Sequence, residues 1–217
     1  MIKLERTSVM NFENAIRGAR NPLNSWARSD SYYDENGNYI LGENDLGLAK
    51  RLARAGSDHR KYLRQIFVSV DITAPLYWWK EFDTYKVGTV ANSCSTMHKI
   101  HAKEFTLDDF SHERMISNFG ETFEALDVLC LVIDLLNRYR NSYNETKDKR
   151  YWDSMIQLLP TSYNQMRTVT LNYENLINIY NARRNHKLKE WHTLCEWIEE
   201  SIPYFKEIVL EGKEYNE

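Results

Sequence analysis

The stretch from Gln65 to His98 constrains the fold of this chain more than any other. Between Gln65 and Ile72, apolar side chains occupy every second position, a period of two that predicts a strand. Pro75 follows almost at once, and proline suits the first turn of a helix because its missing N–H costs no hydrogen bond there. The sequence therefore predicts a strand that leads directly into a helix.

This helix is predicted to have a broad apolar face made of Leu76, Tyr77, Trp79, Phe82 and Tyr85. After Gly88 the chain becomes rich in small hydroxyl and amide side chains. Small side chains leave room for a ligand, and hydroxyls and amides can bond phosphate or a base edge. Residues 74–98 are therefore interpreted in two ways, as a buried helix that leads into a polar pocket or as a core helix followed by a Ser/Thr turn.

Composition argues against several classes of partner and site. The net charge of −3 gives no bulk attraction to nucleic acid or to an anionic membrane, so neither is expected as a partner. No window has the apolar length of a membrane span, and the first residues lack a signal peptide's apolar core. Cys94, Cys130 and Cys195 are odd in number and widely spaced, which is typical of a reduced, cytoplasmic setting. CxxC and HExxH are absent, so no metal site is expected.

The remaining elements are predicted mainly as helix. Residues 1–28 are predicted to be mostly helical. Ser29 to Asn44 is predicted to be a polar turn region, with either a hairpin tip or a flexible loop at 35–38. An amphipathic helix is expected over Asp45 to Ala55, closed by Gly56. The stretch from Glu121 to Arg140 is apolar nearly all round, which predicts a helix buried between other elements.

The C-terminal third alternates loops, helices and one strand. The predicted elements are a loop at Asn141 to Lys149, a helix at Tyr151 to Leu159, a strand at Gln165 to Leu171, a helix at Tyr173 to Ala182 with Asn172 as N-cap, a helix at Lys187 to Ser201, and a last helix to Val209. The sum is a helix-rich α+β chain with few strands, in a single domain over residues 1–217.

Two separated blocks of the sequence resemble the flavin-dependent thymidylate synthases (the ThyX family). Residues 57–98 are similar to that family's central block, where a strand is followed by an A-P-[IL]-[FY] helix and an RHRxxSxNxxSxR motif. Leu159-Pro160 and the later run TVTLNYENLINIYNAR are similar to its LP…T-x-N…L-x-N-F-L-x-L-R segment. The resemblance implies a ThyX-like fold with a small mixed or antiparallel sheet, FAD and dUMP as ligands, and a homotetramer with active sites where subunits meet.

The first block departs from the family at the motif that binds phosphate. The RHR triplet falls on Thr84-Tyr85-Lys86 or, after a shift of one residue, on Tyr85-Lys86-Val87, so Lys86 is its one basic residue. The motif's final arginine becomes Thr96 or Met97. Arginine binds phosphate bidentately and is always charged, and Thr, Val or Met cannot replace it. We therefore expect weaker phosphate binding than in the family, and FAD binding is doubtful.

The resemblance still implies a set of ligand-binding residues. Those implied for the nucleotide are Lys86, Asn92, Ser95, His98 and Arg183, and those implied for the flavin are Tyr85, Asn172 and Asn178. Arg183 falls on the family's arginine that binds and orients the base. The sequence also departs from the family's pattern at two other positions. Glu174 stands where the family has a basic residue, and Ile156 stands where the family has an arginine. An acidic side chain there is expected to repel phosphate.

The residues themselves leave other interpretations of these positions open. Arg183 is also typical of a solvated charge at a helix end, where cations interact favourably with the helix dipole. Asn92 and Ser95 are equally suited to capping a helix. Lys86 is nearly as well interpreted as a surface lysine.

Three functions follow as hypotheses. The favoured one is a nucleotide-binding protein of ThyX-like fold that is not competent for the standard reaction, and that sequesters a ligand, regulates, or performs altered chemistry. The alternative is an active synthase that converts dUMP to dTMP with methylenetetrahydrofolate and NADPH, with flavin relaying hydride. The third is a structural or interaction protein with a vestigial site.

Overall fold

A computed structural model of the chain describes residues 2–116 and 124–211, and most of its regular structure is helical. The strands are β1 (Lys3–Met10), β2 (Tyr32–Tyr33), β3 (Tyr39–Ile40), β4 (Phe67–Pro75), β5 (Val90–Ser93) and β6 (Asn164–Asn172). The helices are α1 (Phe12–Arg20), α2 (Glu43–Arg54), α3 (Leu76–Phe82), α4 (Ala125–Thr146), α5 (Lys149–Leu158), α6 (Tyr173–Arg183) and α7 (Lys189–Ser201). A 3-10 helix at Arg60–Gln65 and a π-helical turn at Lys206–Leu210 complete the longer elements. The predicted helix-rich α+β class is confirmed.

Four of the strands form one small antiparallel sheet in the order β1-β4-β6-β5, and β2 pairs with β3 in a separate antiparallel hairpin. The predicted hairpin tip is confirmed, since Gly37 in the turn has a φ of 78°. That conformation costs glycine little because it has no Cβ. Asp34 holds the same turn by accepting the backbone N–H of Asn36 and Asn38 at 2.9 and 2.8 Å.

The predicted passage from strand to helix is also confirmed. Alternate residues of β4 are buried, and α3 begins directly after Pro75, its N-cap residue. The helix ends at Phe82, two turns after it starts, so Tyr85 lies outside it and the predicted apolar face was too long. Trp78, Trp79 and Phe82 are the side chains that α3 buries.

The start of the chain corrects another prediction. Residues 3–10 form β1 rather than helix, and the first helix begins at Phe12. Most side chains of β1 are exposed, so the segment carries little of the alternation that would mark a strand. Its conformation depends on pairing with a neighbouring strand, which local propensity does not report. The short strand β5 was missed for the same reason, as all four of its residues are exposed.

Helix α4 differs from the predicted buried helix in length and in exposure. It continues to Thr146 through most of the predicted loop, while residues 121–123 of the prediction lie outside the described part of the chain. Leu129, Ile133 and Leu136 are buried. Val128 and Leu131 are 50% and 53% exposed, so one side of α4 is apolar and uncovered in this chain.

The described residues divide into two compact units, each with its own core. Unit 1 comprises Met1–Lys3, Ile72–Thr84 and Asn92–Thr168, and unit 2 comprises Leu4–Asp71, Tyr85–Ala91 and Val169–Glu217. In unit 1, α4 packs on α5, with Phe110, Leu136 and Met155 among the buried residues. In unit 2, α6 packs on α7 and on the 3-10 helix. A single domain over residues 1–217 stays a prediction.

Candidate functional site

Four side chains form what we call the Arg183 cluster: Arg183 at the end of α6, His186 between α6 and α7, Trp191 in the first turn of α7, and Tyr85 from the loop after α3. The Nε of Arg183 donates a hydrogen bond to the Tyr85 hydroxyl at 2.8 Å. The guanidinium carbon lies 4.7 Å from the Trp191 ring centroid and 5.6 Å from that of Tyr85. The His186 ring lies 6.2 Å from Trp191. All four belong to unit 2.

The cluster sets a permanently charged, planar group against aromatic faces. A guanidinium above a ring is stabilised by the ring quadrupole, and its fixed fork of donors suits carbonyl and phosphate oxygens. Trp191 is buried, whereas Arg183 and Tyr85 are half-buried and keep contact with solvent. Arg183 also sits in the last turn of α6, where the helix dipole favours a cation. This chemistry suits a planar ligand with oxygen acceptors at its edge.

The first turn of α6 holds the loop that carries Tyr85. Asn172 and Asn175 form a capping box, in which each side chain accepts the other's backbone N–H at 3.0 to 3.2 Å. The Asn175 amide also donates to the Val87 carbonyl at 2.7 Å. The predicted N-cap role of Asn172 is therefore confirmed, and Asn175 links the cap to the loop.

Gly88 is the residue that allows this close approach. Its φ is 76°, and a Cβ at that position would lie 3.1 Å from the Asn175 side-chain oxygen and 3.2 Å from the Asn172 side-chain nitrogen. A larger residue would therefore meet both strain and crowding. The Asn175 amide ties the loop between Tyr85 and Ala91 to α6 at this point.

Glu174 does not present an isolated negative charge. Its carboxylate accepts a forked set of hydrogen bonds from Arg60, with Nε at 3.0 and 3.1 Å and Nη2 at 2.6 Å. The two side chains are 17% and 21% exposed. Such a bidentate pair is among the stronger charged contacts in proteins. The repulsion of phosphate expected from Glu174 is therefore largely offset by Arg60.

Ser95 and His98 lie in unit 1 in a tight turn after β5. The Ser95 hydroxyl accepts the backbone N–H of Met97 at 3.1 Å and of His98 at 3.0 Å. Ser95 is thus positioned as a local cap, the interpretation that its residue type left open. The His98 side chain is exposed, and the Met97 carbonyl accepts the Trp152 indole N–H at 3.0 Å.

The remaining predicted residues are exposed. Lys86 lies in the loop beside Tyr85, Asn92 lies in β5, and Asn178 lies on α6. Of the whole predicted set, Tyr85 and Arg183 are brought into direct contact, and Asn172 reaches the same loop at Gly88. Asn92, Ser95 and His98 belong to unit 1 and the others to unit 2.

Four contributors to this region were not among the predicted site residues: Trp191, His186, Asn175 and Arg60. Trp191 is at helical spacing with Leu188 and Leu194, and this spacing is typical of a core residue rather than a site residue. Arg60 is 114 positions from Glu174, and no local pattern joins them. The run from Arg183 to Trp191 carries two arginines, a histidine and a tryptophan, and this clustering is a signal that could have indicated the site.

The residues that the resemblance implies for flavin, and the segment from Thr84 to Met97, fit the diphosphate of a flavin dinucleotide poorly. A diphosphate needs several charge-assisted contacts, and Lys86 is the one basic residue between Thr84 and Met97. Two of the three residues implied for flavin are engaged with protein groups, Tyr85 with Arg183 and Asn172 with Asn175.

The buried thiol of Cys195 adds nothing to the chemistry of the site. Burial raises the pKa of the Cys195 thiol to about 12, so this cysteine is protonated and unreactive at neutral pH. Within residues 2–116 and 124–211, no three His, Cys, Asp or Glu side chains are arranged to hold a metal ion. Within the same ranges, no helix has both the length and the apolar character needed to cross a membrane.

Comparison with known proteins gives a fold but no sequence family. No family model matches the sequence, and no curated protein matches it. The crystal structure of thymidylate synthase X from Helicobacter pylori, solved with FAD and dUMP, matches with a TM-score of 0.68 and 17% identity. The match covers 97% of this chain and 98% of that one.

A second structure, the flavin-dependent thymidylate synthase ThyX from Helicobacter pylori complexed with FAD and dUMP, has a TM-score of 0.65 and 17% identity. It covers 97% of each chain. The predicted ThyX-like fold is confirmed by these two matches over nearly the full length.

Proposed function

We propose that this protein binds a nucleotide or nucleotide-like molecule through the Arg183 cluster, and that it does not carry out the standard thymidylate synthase reaction. The observation that carries the proposal is the guanidinium of Arg183 held against the rings of Trp191 and Tyr85. The fold supports it, since both similar structures contain dUMP and FAD. The single basic residue between Thr84 and Met97 argues against the full set of phosphate contacts.

In this proposal, Arg183 recognises oxygen acceptors of the ligand and Tyr85 orients the guanidinium through its hydroxyl. Trp191 supplies the apolar face beneath the guanidinium, which lowers its freedom before the ligand arrives. Lys86, Asn92, Ser95, His98, Asn172 and Asn178 stay proposed contributors to the nucleotide or flavin contacts. Bound flavin would supply hydride chemistry, but the residues described above support no step that depends on it.

The direct test is titration calorimetry of the full chain with dUMP, dTMP and a panel of mono-, di- and cyclic nucleotides. Arg183→Ala is expected to weaken the best ligand by roughly tenfold to a hundredfold, because one charge-assisted contact is worth about 1.5–3 kcal/mol. Arg184→Ala is the matched control, since Arg184 is the next residue and is also half-buried. Equal affinity for Arg183→Ala and the wild type would contradict the ligand assignment.

Two further measurements separate this proposal from the alternatives. Rescue of a thymidine-requiring bacterial strain by the gene would establish an active synthase instead. A yellow purified protein with about one flavin per chain would contradict poor flavin binding. If the protein binds none of the nucleotides, the result favours the third hypothesis, a structural or interaction protein with a vestigial site.

We also propose that the chain forms a homo-oligomer, with a homotetramer as the expected state. Val128, Leu131 and Leu135 lie three and four residues apart along α4, and therefore on one side of it. Val128 and Leu131 are half-exposed or more, although neighbouring α4 residues are buried in unit 1. Sedimentation velocity of Leu131→Glu should show smaller species than the wild type. Asp134→Asn, an exposed change on the same helix, should leave the wild-type distribution unchanged.

A further inference from the structure

A cleft in unit 2 shares no residue with the Arg183 cluster. It has a volume of about 570 Å³ and is lined by the end of β1, the first turn of α1, the β2–β3 hairpin, and residues 201 and 203. We call it the hairpin cleft. Its volume is within the range of about 300–1,000 Å³ that is common for small-molecule sites.

Aromatic rings form the hairpin side of this cleft. Tyr33 is 57% exposed, and its ring centroid lies 5.2 Å from that of Tyr39 at an angle of 59°. The Tyr33 hydroxyl donates to the Glu13 carboxylate at 2.9 Å. That hydrogen bond ties the Tyr33 ring to α1, and it raises the pKa of Tyr33. An exposed aromatic face whose edge is fixed offers an apolar platform to a ligand.

Amides form the opposite side, and they are held in a defined arrangement. Asn11 has a φ of 71°, and its side chain donates to the Gln65 carbonyl at 2.8 Å. Its side-chain oxygen accepts a hydrogen bond from Asn14 at 2.8 Å. An asparagine amide carries both donors and acceptors, and Asn38 adds a third amide from the hairpin. The cleft therefore offers both kinds of hydrogen-bonding group around one apolar face.

The charge of the lining separates candidate ligand classes. Glu13 is the one charged side chain among the described residues that line the cleft. Arg17 follows one turn later on α1, where its guanidinium donates to the Asn14 side-chain oxygen at 2.9 Å. A phosphate would be repelled by the Glu13 carboxylate, which lines the cleft. A neutral ligand avoids that cost.

We propose that the hairpin cleft binds a saccharide. A sugar ring presents an apolar C–H face that stacks on an aromatic ring, and hydroxyls at its edge that pair with amides and a carboxylate. Tyr33 provides the stacking face, and the Glu13 carboxylate accepts hydrogen bonds from hydroxyls of the sugar. Asn11 and Asn14 present amide groups to the edge of the sugar. This site is independent of nucleotide binding at the Arg183 cluster.

The test begins with an array of immobilised mono- to hexasaccharides probed with the full-length chain. The strongest free saccharide is then titrated by calorimetry against the wild type, Tyr33→Ala and Tyr32→Ala. Tyr32 is the matched control, since it is the adjacent hairpin residue and is 58% exposed but does not line the cleft. Affinity should fall about tenfold or more for Tyr33→Ala and stay within about twofold for Tyr32→Ala.

Glu13→Gln provides a second variant that keeps the size of the side chain, and it is expected to weaken the same saccharide about threefold to tenfold. Circular dichroism establishes that each variant is folded. The proposal is overturned if the wild type binds no saccharide on the array, or if Tyr33→Ala and Tyr32→Ala lose affinity equally. It is also overturned if spermidine or dUMP occupies the cleft and shows the Tyr33 dependence in place of a sugar.

Discussion

Two arginines of unit 2, Arg20 and Arg183, differ in what surrounds them. Arg20 is 4% exposed, and its Nε donates to Asp45 at 2.6 Å. Asp45 is fully buried and also accepts hydrogen bonds from the hydroxyls of Ser29 and Ser31 at 2.7 and 2.6 Å. Arg183 is half-buried and rests on aromatic rings.

The difference teaches that the surroundings of an arginine, rather than its presence, indicate its role. A buried guanidinium against a buried carboxylate is neutralised inside the protein, so it stabilises or specifies the fold. A half-buried guanidinium on ring faces keeps part of its exposure, which suits recognition of a ligand. The comparison predicts that changes around Arg20 alter stability, while changes around Arg183 alter binding.

The largest effect is expected when the buried pair is broken. Asp45→Asn should lower the free energy of unfolding by about 3–5 kcal/mol, because Arg20 would keep a buried charge without its counter-ion. Urea denaturation followed by circular dichroism measures this. Asp134→Asn is the control, as Asp134 pairs with Arg138 at the surface at 3.7 Å and should change stability by less than about 0.5 kcal/mol. Equal losses in both variants would contradict the structural role of Arg20.

The pH dependence of stability sharpens the same contrast. Burial by itself would raise the pKa of Asp45, but hydrogen bonds from Ser31, Ser29 and Arg20 outweigh it and hold the pKa below its ordinary value of 3.8. A carboxyl with a lowered folded-state pKa stabilises fully above its unfolded value, and this stability is lost as pH falls through the folded value. The stability difference between the wild type and Asp45→Asn should be constant from about pH 7 to pH 5 and shrink below about pH 4. A stability difference between the two proteins that grows as the pH falls would contradict the lowered pKa of Asp45.

Gly88→Ala tests whether α6 holds the loop of the Arg183 cluster. The substitution should cost about 1–2 kcal/mol from the left-handed backbone, with further cost from the Asn172 and Asn175 amides. Gly37→Ala is a matched control, because Gly37 has a φ of 78° but a Cβ there would meet nothing within 4 Å. Thermal unfolding and nucleotide titration should show a greater loss for Gly88→Ala in both. Similar losses of stability and affinity in the two variants would show that crowding against the Asn172 and Asn175 amides contributes nothing.

The smallest effect is expected for Tyr85→Phe. This change keeps the aromatic face beside Arg183 and removes the hydroxyl that accepts its Nε hydrogen bond. One such bond contributes about 0.5–1.5 kcal/mol, so nucleotide affinity should fall by roughly threefold to tenfold while stability changes little. Titration calorimetry and thermal unfolding of the same preparation measure both. A large loss of stability with unchanged affinity would assign Tyr85 to the fold instead.

Local signals predicted the elements that depend on neighbouring residues. The alternation of β4, Pro75 before α3, and Asn172 before α6 each act within a few residues, and all three predictions are confirmed. The strands β1 and β5 were missed because their side chains are mostly exposed and their conformation comes from pairing. The uncovered side of α4 was missed because an apolar sequence does not say how much of it a neighbour will cover.

Some residues of the candidate region were identified from the sequence, and others were not. The resemblance identified Arg183 and Tyr85, which are in contact in the structure, but whether any predicted residue binds a ligand stays a prediction. Arg60 and Asn175 form their contacts across long stretches of chain, and nothing in the local sequence indicates either contact. Ser95 shows the reverse case, since a residue implied for nucleotide binding also caps its own turn.

The sequence alone determined the helix-rich class, the strand-to-helix passage into α3, the capped start of α6 and the shortage of basic residues between Thr84 and Met97. These depend on backbone preferences and residue chemistry, which act over a few positions. Only the tertiary structure decided that Arg20 is neutralised by Asp45 while Arg183 rests on Trp191. The physical reason is that burial and counter-charge are properties of distant segments brought together, and they determine what an identical guanidinium can do.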